Sequence, residues 1–111
     1  MAAKFSLMKA KNGQFYFNLK VSNGETILTS EMYQSKSSTK NGIVSVKKNA
    51  IHNGRYCAKE DKRGWHFCVL RARNNQVIGR SESYSSVSVM ENGIESVKRN
   101  APRAQVENLT Q

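Results

Sequence analysis

This chain is short of most residues that announce a chemistry. One proline and seven glycines in 111 residues exclude a collagen-like or proline-rich disordered polymer. Two cysteines, Cys57 and Cys68, are too few for a disulfide framework and lack the paired spacing of a zinc site. With two histidines, His52 and His66, there is no Ser-His-acid order, no metal-type His pair and no phosphate-cradling glycine loop. An enzyme, a metal and a cofactor are therefore not expected. No apolar run approaches the ~20 residues that span a bilayer, and the opening Met-Ala-Ala-Lys-Phe lacks a signal-peptide core. A cytoplasmic protein without membrane association is expected. Acids are also scarce: 8 Asp and Glu stand against 18 Lys and Arg, a net charge of +10. The excess is spread along the chain, +6 up to Asn53 and +4 after it. Such a balance permits a polyanionic partner but does not require one.

What the chain does have is a second copy of itself. Shifted by 51 residues, positions 5–50 match 56–101 without a gap, and more than one pair in three is identical. The shared residues include Gly13/Gly64, Leu19/Leu70, Ile27/Ile78, Ser30-Glu31/Ser81-Glu82, Tyr33/Tyr84, Ser35/Ser86 and Gly42-Ile43/Gly93-Ile94. Repeat one runs over about 3–53 and repeat two over about 54–111. A unit of ~50 residues buries too little surface to be stable alone, so the two are expected to share one core as a single pseudo-symmetric domain, 1–111. A monomer is expected, with a dimer as the alternative.

Each copy reads as three strands and a helix. Phe5 and Leu7 alternate with polar residues, Lys11-Asn12-Gly13 turns, and Phe15, Phe17, Leu19 and Val21 alternate again before Asn23-Gly24. A short strand follows at Thr26–Thr29. A three-residue loop with Gly13 in the left-handed position sets Phe5 opposite Leu19 and Leu7 opposite Phe17, the apolar pairing that a shared face needs. Carried to repeat two, it pairs Tyr56 with Leu70 and Ala58 with Cys68, and points Cys57 away from Cys68. Two reduced structural thiols are expected. The helices start near Ser35–Ser38 and Ser86–Ser88, where serine can cap. Val87, Met90, Ile94, Val97 and Ala101 form the second helix's apolar stripe. Lys36 and Thr39 replace the first two in repeat one, whose first turn is expected to be looser. Extended segments follow each helix, at Arg55–Lys59 and about 104–108.

Gly42 and Gly93 hold equivalent interior helix positions, where glycine costs about 1 kcal/mol relative to alanine. Their retention in both copies predicts a close approach to the sheet or to the other repeat, and Gly93→Ala is expected to destabilise.

The run Phe15-Tyr16-Phe17-Asn18-Leu19-Lys20, Asn23-Gly24, Ile27, Ser30-Glu31, Tyr33, Ser35-Lys36, Gly42-Ile43 and Ser45-Val46-Lys47-Lys48-Asn49-Ala50 resembles the YegP-like family over nearly the whole chain. These small, mostly bacterial proteins carry one or two such units and have no characterised function. The resemblance implies an α+β fold of β-β-β-α-β units that build one antiparallel sheet and exchange their final strands. It supplies no catalytic residues. Repeat two departs from the pattern at Asn75, Gly79 and Val87.

The function expected from these residues is a small non-enzymatic binding or interaction module whose ligand they do not name, a protein partner being one candidate; the alternative is nucleic-acid binding through a basic, aromatic sheet face of repeat two. For nucleic acid the residues are Trp65, Phe67, Arg71, Arg73 and Arg80, on or beside the strands of repeat two, where aromatics and cations could stack and neutralise a strand. The alternative is that this face packs against the other repeat, a second chain or a helix. Glu31 and Glu82 are the acids kept in both copies. They are either a pair of symmetric sites or, within Ser-Glu-x-Tyr with Tyr33 and Tyr84, part of the strand-to-helix corner, accepting backbone N–H bonds or pairing with lysine.

Overall fold

A computed structural model describes residues 3–110. Its elements are β1 (Lys4–Lys9), β2 (Phe15–Lys20), β3 (Thr26–Thr29), α1 (Lys36–Asn49), β4 (Tyr56–Glu60), β5 (His66–Arg71), β6 (Val77–Arg80), α2 (Val87–Asn100) and β7 (Gln105–Asn108). One helical turn, Asn53–Arg55, follows α1, and another, Ala101–Arg103, follows α2. The strands form one sheet in the order β4-β5-β6-β3-β2-β1-β7.

Register follows the turns. Phe5 faces Leu19 and Leu7 faces Phe17 across β1 and β2. Tyr56 faces Leu70 and Ala58 faces Cys68 across β4 and β5. The three-residue loop holds because Gly13 and Gly64 adopt positive φ, +86° and +82°, which other residues rarely do. Asn75, standing where repeat one has Gly24, manages φ 71° because its short side chain tolerates the left-handed region. Both thiols are free, and Cys68 is buried.

Both helices cover one face of the sheet. Between β2 and β3 the register shifts and leaves Ile27 as an extra residue, so that the consecutive Ile27 and Leu28 enter the core together; the same shift between β5 and β6 falls at Ile78. Around them gather Phe5, Phe17, Leu19, Leu70, Ile43, Val46 and Val97. In the middle of the sheet the repeats are joined by one bridge between β3 and β6, Thr29 opposite Arg80, and at its end by β7 lying against β1. These two residues are repeat equivalents, so the pseudo-twofold axis passes between them.

Three expectations need correction. The sheet is not wholly antiparallel, because β7 runs parallel to β1 after α2 has carried the chain across the helix-covered face. Strand exchange is one-sided: β7 crosses to repeat one, whereas the strand after α1 is β4, which stays to open repeat two. The first turn of α1 is no looser than that of α2. Ser35 and Ser86 cap identically, accepting from Ser38 and Val89 backbone N–H, and Thr39 is wholly buried with its hydroxyl donating to the Ser35 carbonyl at 2.7 Å.

Candidate functional site

The corner after each third strand is built by serine and tyrosine. Ser30 Oγ accepts from the Phe17 N–H at 2.9 Å and donates to the Glu31 carbonyl at 2.8 Å. Ser81 repeats both contacts with Cys68 and Glu82. Tyr33 and Tyr84 exchange backbone bonds with Phe15 and His66 and lay their rings under the helices. The close approach at each helix glycine is to these rings: a Cβ on Gly93 would lie 2.7 Å from Tyr84 Oη, and one on Gly42 would meet Tyr33 Oη and Phe17 Cε2. The neighbours are thus side chains of the same repeat, the corner tyrosine in both and the sheet residue Phe17 as well at Gly42, and not the other copy. Glu31 and Glu82 are exposed, and among the described residues their carboxylates make no hydrogen bond. Serine, not glutamate, satisfies the corner's backbone.

The face opposite the helices carries the proposed aromatic and basic set, and the structure divides it. Phe67 is 8% exposed, because the Arg80 guanidinium lies over its ring at 4.0 Å. Neither residue is free to stack a base. Trp65 stays 40% exposed just ahead of β5, with Arg63 over its ring at 4.7 Å. Its backbone N–H donates to Asp61 Oδ1, which also accepts from the Arg63 N–H. Desolvation pushes the Asp61 carboxyl up, but the bonds from Trp65 and Arg63 and the Arg63 charge together outweigh it and hold the group below its ordinary value. Neither helix covers this face, so the expectation that another element packs on it fails within the chain.

Arg71 belongs to a different group. The β4–β5 register, continued one step beyond Tyr56 and Leu70, places Arg55 opposite Arg71. Their repeat equivalents are Lys4 and Lys20, which pair across β1 and β2. In repeat one the pair is answered by a carboxylate: Glu107 on β7 meets Lys4 Nζ at 3.4 Å and lines a small cavity of about 150 Å³ with both lysines. Among the described residues no strand lies beyond β4, and no acid pairs with Arg55 or Arg71. Among the described residues, the buried side-chain polar atoms without a hydrogen-bond partner are Arg55 Nε and Arg71 Nε. Leaving a buried donor unsatisfied costs roughly 1–3 kcal/mol, more when charged. Arg73, in the turn that follows β5, is exposed and adds a third cation at this end.

Sequence reading found Arg71 and Arg73 but missed Arg55. The signal was available, since Lys4 and Arg55 are cations at one repeat position, as are Lys20 and Arg71.

On the helix side of the same edge is a groove of about 410 Å³ between β4 and α2, lined by Tyr56, Ala58, Met90, Glu91, Ile94 and Glu95. Equivalent positions in repeat one are closed. Phe5, Leu7 and Ile43 are at most 2% exposed, whereas Tyr56 and Ile94 are half-buried and Ala58 is exposed. Two differences open it: β7 lies against β1 and has no counterpart against β4 among the described residues, and Ala58 stands where repeat one has the larger Leu7. Burial, then the nearby charges of Cys68 and Glu95, push the Tyr56 hydroxyl well above its ordinary value, and it donates to the Ala50 carbonyl at 2.7 Å. The described residues contain no cluster of three or more His, Cys, Asp or Glu placed to hold a metal ion. Among the described residues no helix is long and apolar enough to cross a membrane.

Two βββα units joined into one mixed sheet, each with a serine–tyrosine corner under a helix glycine, define a duplicated α+β module. The chain belongs to the family described as a domain of unknown function (DUF1508), whose model matches twice, at residues 10–56 and 61–108. It is 50% identical over 106 residues to the UPF0339 protein YegP of Yersinia pestis, covering 96% of this chain and 95% of that one. A UPF0339 protein of Pseudomonas aeruginosa is 51% identical over 104 residues, with 94% of each chain covered. Among solved structures, the solution structure of yegP from E. coli, a protein of unknown function, matches with a TM-score of 0.93 and 44% identity, covering 99% of this chain and 95% of that one. The solution structure of a UPF0339 protein from Shewanella oneidensis matches at 0.92 and 43%, covering 99% and 93%. The family's function is uncharacterised, as the resemblance implied.

Proposed function

We propose that this chain is a non-enzymatic binding module that takes an anionic group at the β4 end of its sheet, between Arg55 and Arg71. The observation that supports this is the contrast between repeats. The cation pair Lys4–Lys20 is answered by Glu107, while the equivalent arginines bury two donors that no described group satisfies. Arginine suits the task, because its planar fork recognises carboxylate or phosphate oxygens two at a time. The chain's other chemistry is of ordinary scaffold type: capping serines, corner serines and tyrosines under helices.

Nucleic acid is the second reading, favoured by the exposed ring of Trp65 and by a charge of +10. It is weakened by Phe67, whose ring Arg80 already occupies, and by Arg63, which lies over the Trp65 ring.

The test titrates the protein with polyglutamate, duplex DNA, single-stranded DNA and structured RNA at about 50 and 200 mM salt, where contacts to phosphate weaken steeply. The anion-site reading expects binding that falls on Arg71→Gln and Arg55→Gln and ignores Trp65→Ala. Nucleic-acid binding lost in Trp65→Ala would move the second reading to first place. Indifference to every polyanion would overturn both.

A further inference from the structure

We infer that the outer edge of β4 is a docking site for an extended, acidic segment of a partner protein, added parallel to β4 as an eighth strand. This rests on reading the Arg55–Arg71 end as a binding surface, and goes further by naming how the ligand lies and what it carries.

The template is within the molecule. β7 sits against β1 with Val106 beside Phe5, Glu107 beside Ser6 and Asn108 beside Leu7. Its ladder includes the Gln105 N–H donating to the Ala3 carbonyl and the Leu109 N–H to the Leu7 carbonyl. Moved by one repeat, the acceptors become Gly54 and Ala58. Since Leu7 turns its carbonyl outward to β7, Ala58 turns its own to the free edge, where it receives only the Cys57 thiol at 4.0 Å. The position that Glu107 takes beside Ser6 becomes the position beside Cys57, within reach of Arg55 and Arg71. The neighbouring side chains of the incoming strand, pointing the other way, enter the groove between Tyr56, Ala58, Met90 and Ile94.

Three features therefore ask for one ligand: an edge with unpaired backbone groups, a half-open groove on one side, apolar at Tyr56, Met90 and Ile94 and charged at Glu91, Glu95 and Lys98, and on the other side two arginines whose buried Nε atoms no described group satisfies. A strand answers all three because its side chains alternate between faces. A nucleic acid would satisfy the arginines but not the edge or the groove. A second copy of this chain is a poorer occupant, because its own strand of the right pattern is already held against β1. The occupant's pattern is apolar opposite Tyr56, acidic opposite Cys57 and small or apolar opposite Ala58.

The probe is a synthetic peptide with the sequence of residues 103–110, Arg-Ala-Gln-Val-Glu-Asn-Leu-Thr, titrated into the full chain and followed by backbone amide shifts. The expected result is saturable shifts along Tyr56–Glu60, in α2 at Met90–Ile94 and at Arg71. Replacing the peptide's glutamate by glutamine should weaken binding about tenfold or more, as losing one partner of a desolvated charge pair does. A scrambled peptide of the same composition should not bind. Ala58→Pro removes an outward N–H without touching the β4–β5 ladder and should abolish binding in a folded protein, as its unchanged far-ultraviolet spectrum would verify.

Equal binding of the scrambled peptide, or shifts confined to β1 and β7, would overturn strand addition. So would concentration-dependent self-association removed by Ala58→Pro, which would make a second copy the occupant. If no peptide binds but polyglutamate still depends on Arg71, the strand fails and the anion site stands. If neither binds, both fall.

Discussion

Leu28 fills the space that a side chain at Gly79 would need. The two hold the same position in their repeats, on either side of the pseudo-twofold axis, and a Cβ on Gly79 would lie 2.7 Å from Leu28 Cδ2. The axis has room for one large side chain, so the duplicated halves cannot be identical there. Gly79→Ala is expected to destabilise by about 1–3 kcal/mol through overpacking, and Leu28→Ala by about 2–5 kcal/mol through the cavity it leaves. The exchanged pair Leu28→Gly with Gly79→Leu conserves volume and should cost less than the sum of Leu28→Gly and Gly79→Leu alone. Denaturant unfolding of the four proteins measures the coupling; strict additivity would show that the two positions do not share one space.

The helix glycines should differ in the same experiment. Tyr33 is stacked on Phe17, 6.4 Å between centroids at 11°, and cannot easily retreat from a methyl group at Gly42. In repeat two Cys68 stands at the position of Phe17, so Tyr84 has more freedom to move. Gly42→Ala is expected to lower stability by about 1–3 kcal/mol beyond the ~1 kcal/mol propensity gain, and Gly93→Ala by less. Equal changes in Tm would remove the stacked ring as the cause.

Ser30 and Ser81 each satisfy a backbone N–H and a backbone carbonyl from a buried position. Alanine at either leaves both groups without that partner. A loss of about 1–3 kcal/mol is expected from each substitution, nearly equal in the two repeats. Glu31→Gln and Glu82→Gln, at exposed positions beside them, should leave thermal unfolding almost unchanged.

At high pH the tyrosines should govern stability. Burial first and the Glu31 charge next raise the Tyr33 hydroxyl, and burial raises Tyr84, with smaller contributions from Cys68, Glu25 and Glu82. Tyr56 is raised as well. Each folded group holds its proton more tightly than the unfolded one, whose ordinary value is about 10. Their contribution is therefore complete below about pH 10 and is lost as the pH rises through the folded values. Tyrosinate absorbance and ellipticity followed together should show these three ionising late, in step with unfolding. Ionisation well before any loss of structure would contradict the burial.

The sequence disclosed whatever both repeats must do alike. Strand order within each unit, the Phe5–Leu19 and Tyr56–Leu70 registers, the serine caps and both helices are local consequences of alternation, turn chemistry and helical spacing. What it concealed depends on breaking the likeness. A parallel β7 cannot be read from a four-residue strand, because direction is set by where α2 delivers the chain. Phe67 looked available in a list of strand residues, but Arg80 comes from another strand and covers it. Arg55 opens the extended segment read from the sequence, but nothing beside it there marks it as a site; its meaning lies in Glu107, fifty-two positions later, which serves its counterpart. The half-open edge is a difference between two copies, visible only when both are folded.

The parallel seating of β7 on β1 has a mechanical side. The described chain enters the sheet at one pole of this strand pair and leaves at the other, so tension between its ends slides the strands past each other. In that geometry the bonds from Gln105 to Ala3 and from Leu109 to Leu7 carry load together, rather than opening one after another like a zip. At the far edge, β4 and β5 form a hairpin that lies off the line of force. Pulled from its ends, the molecule should resist abruptly and give way at the β1–β7 seam, leaving the β4–β5 hairpin the last part to feel the strain.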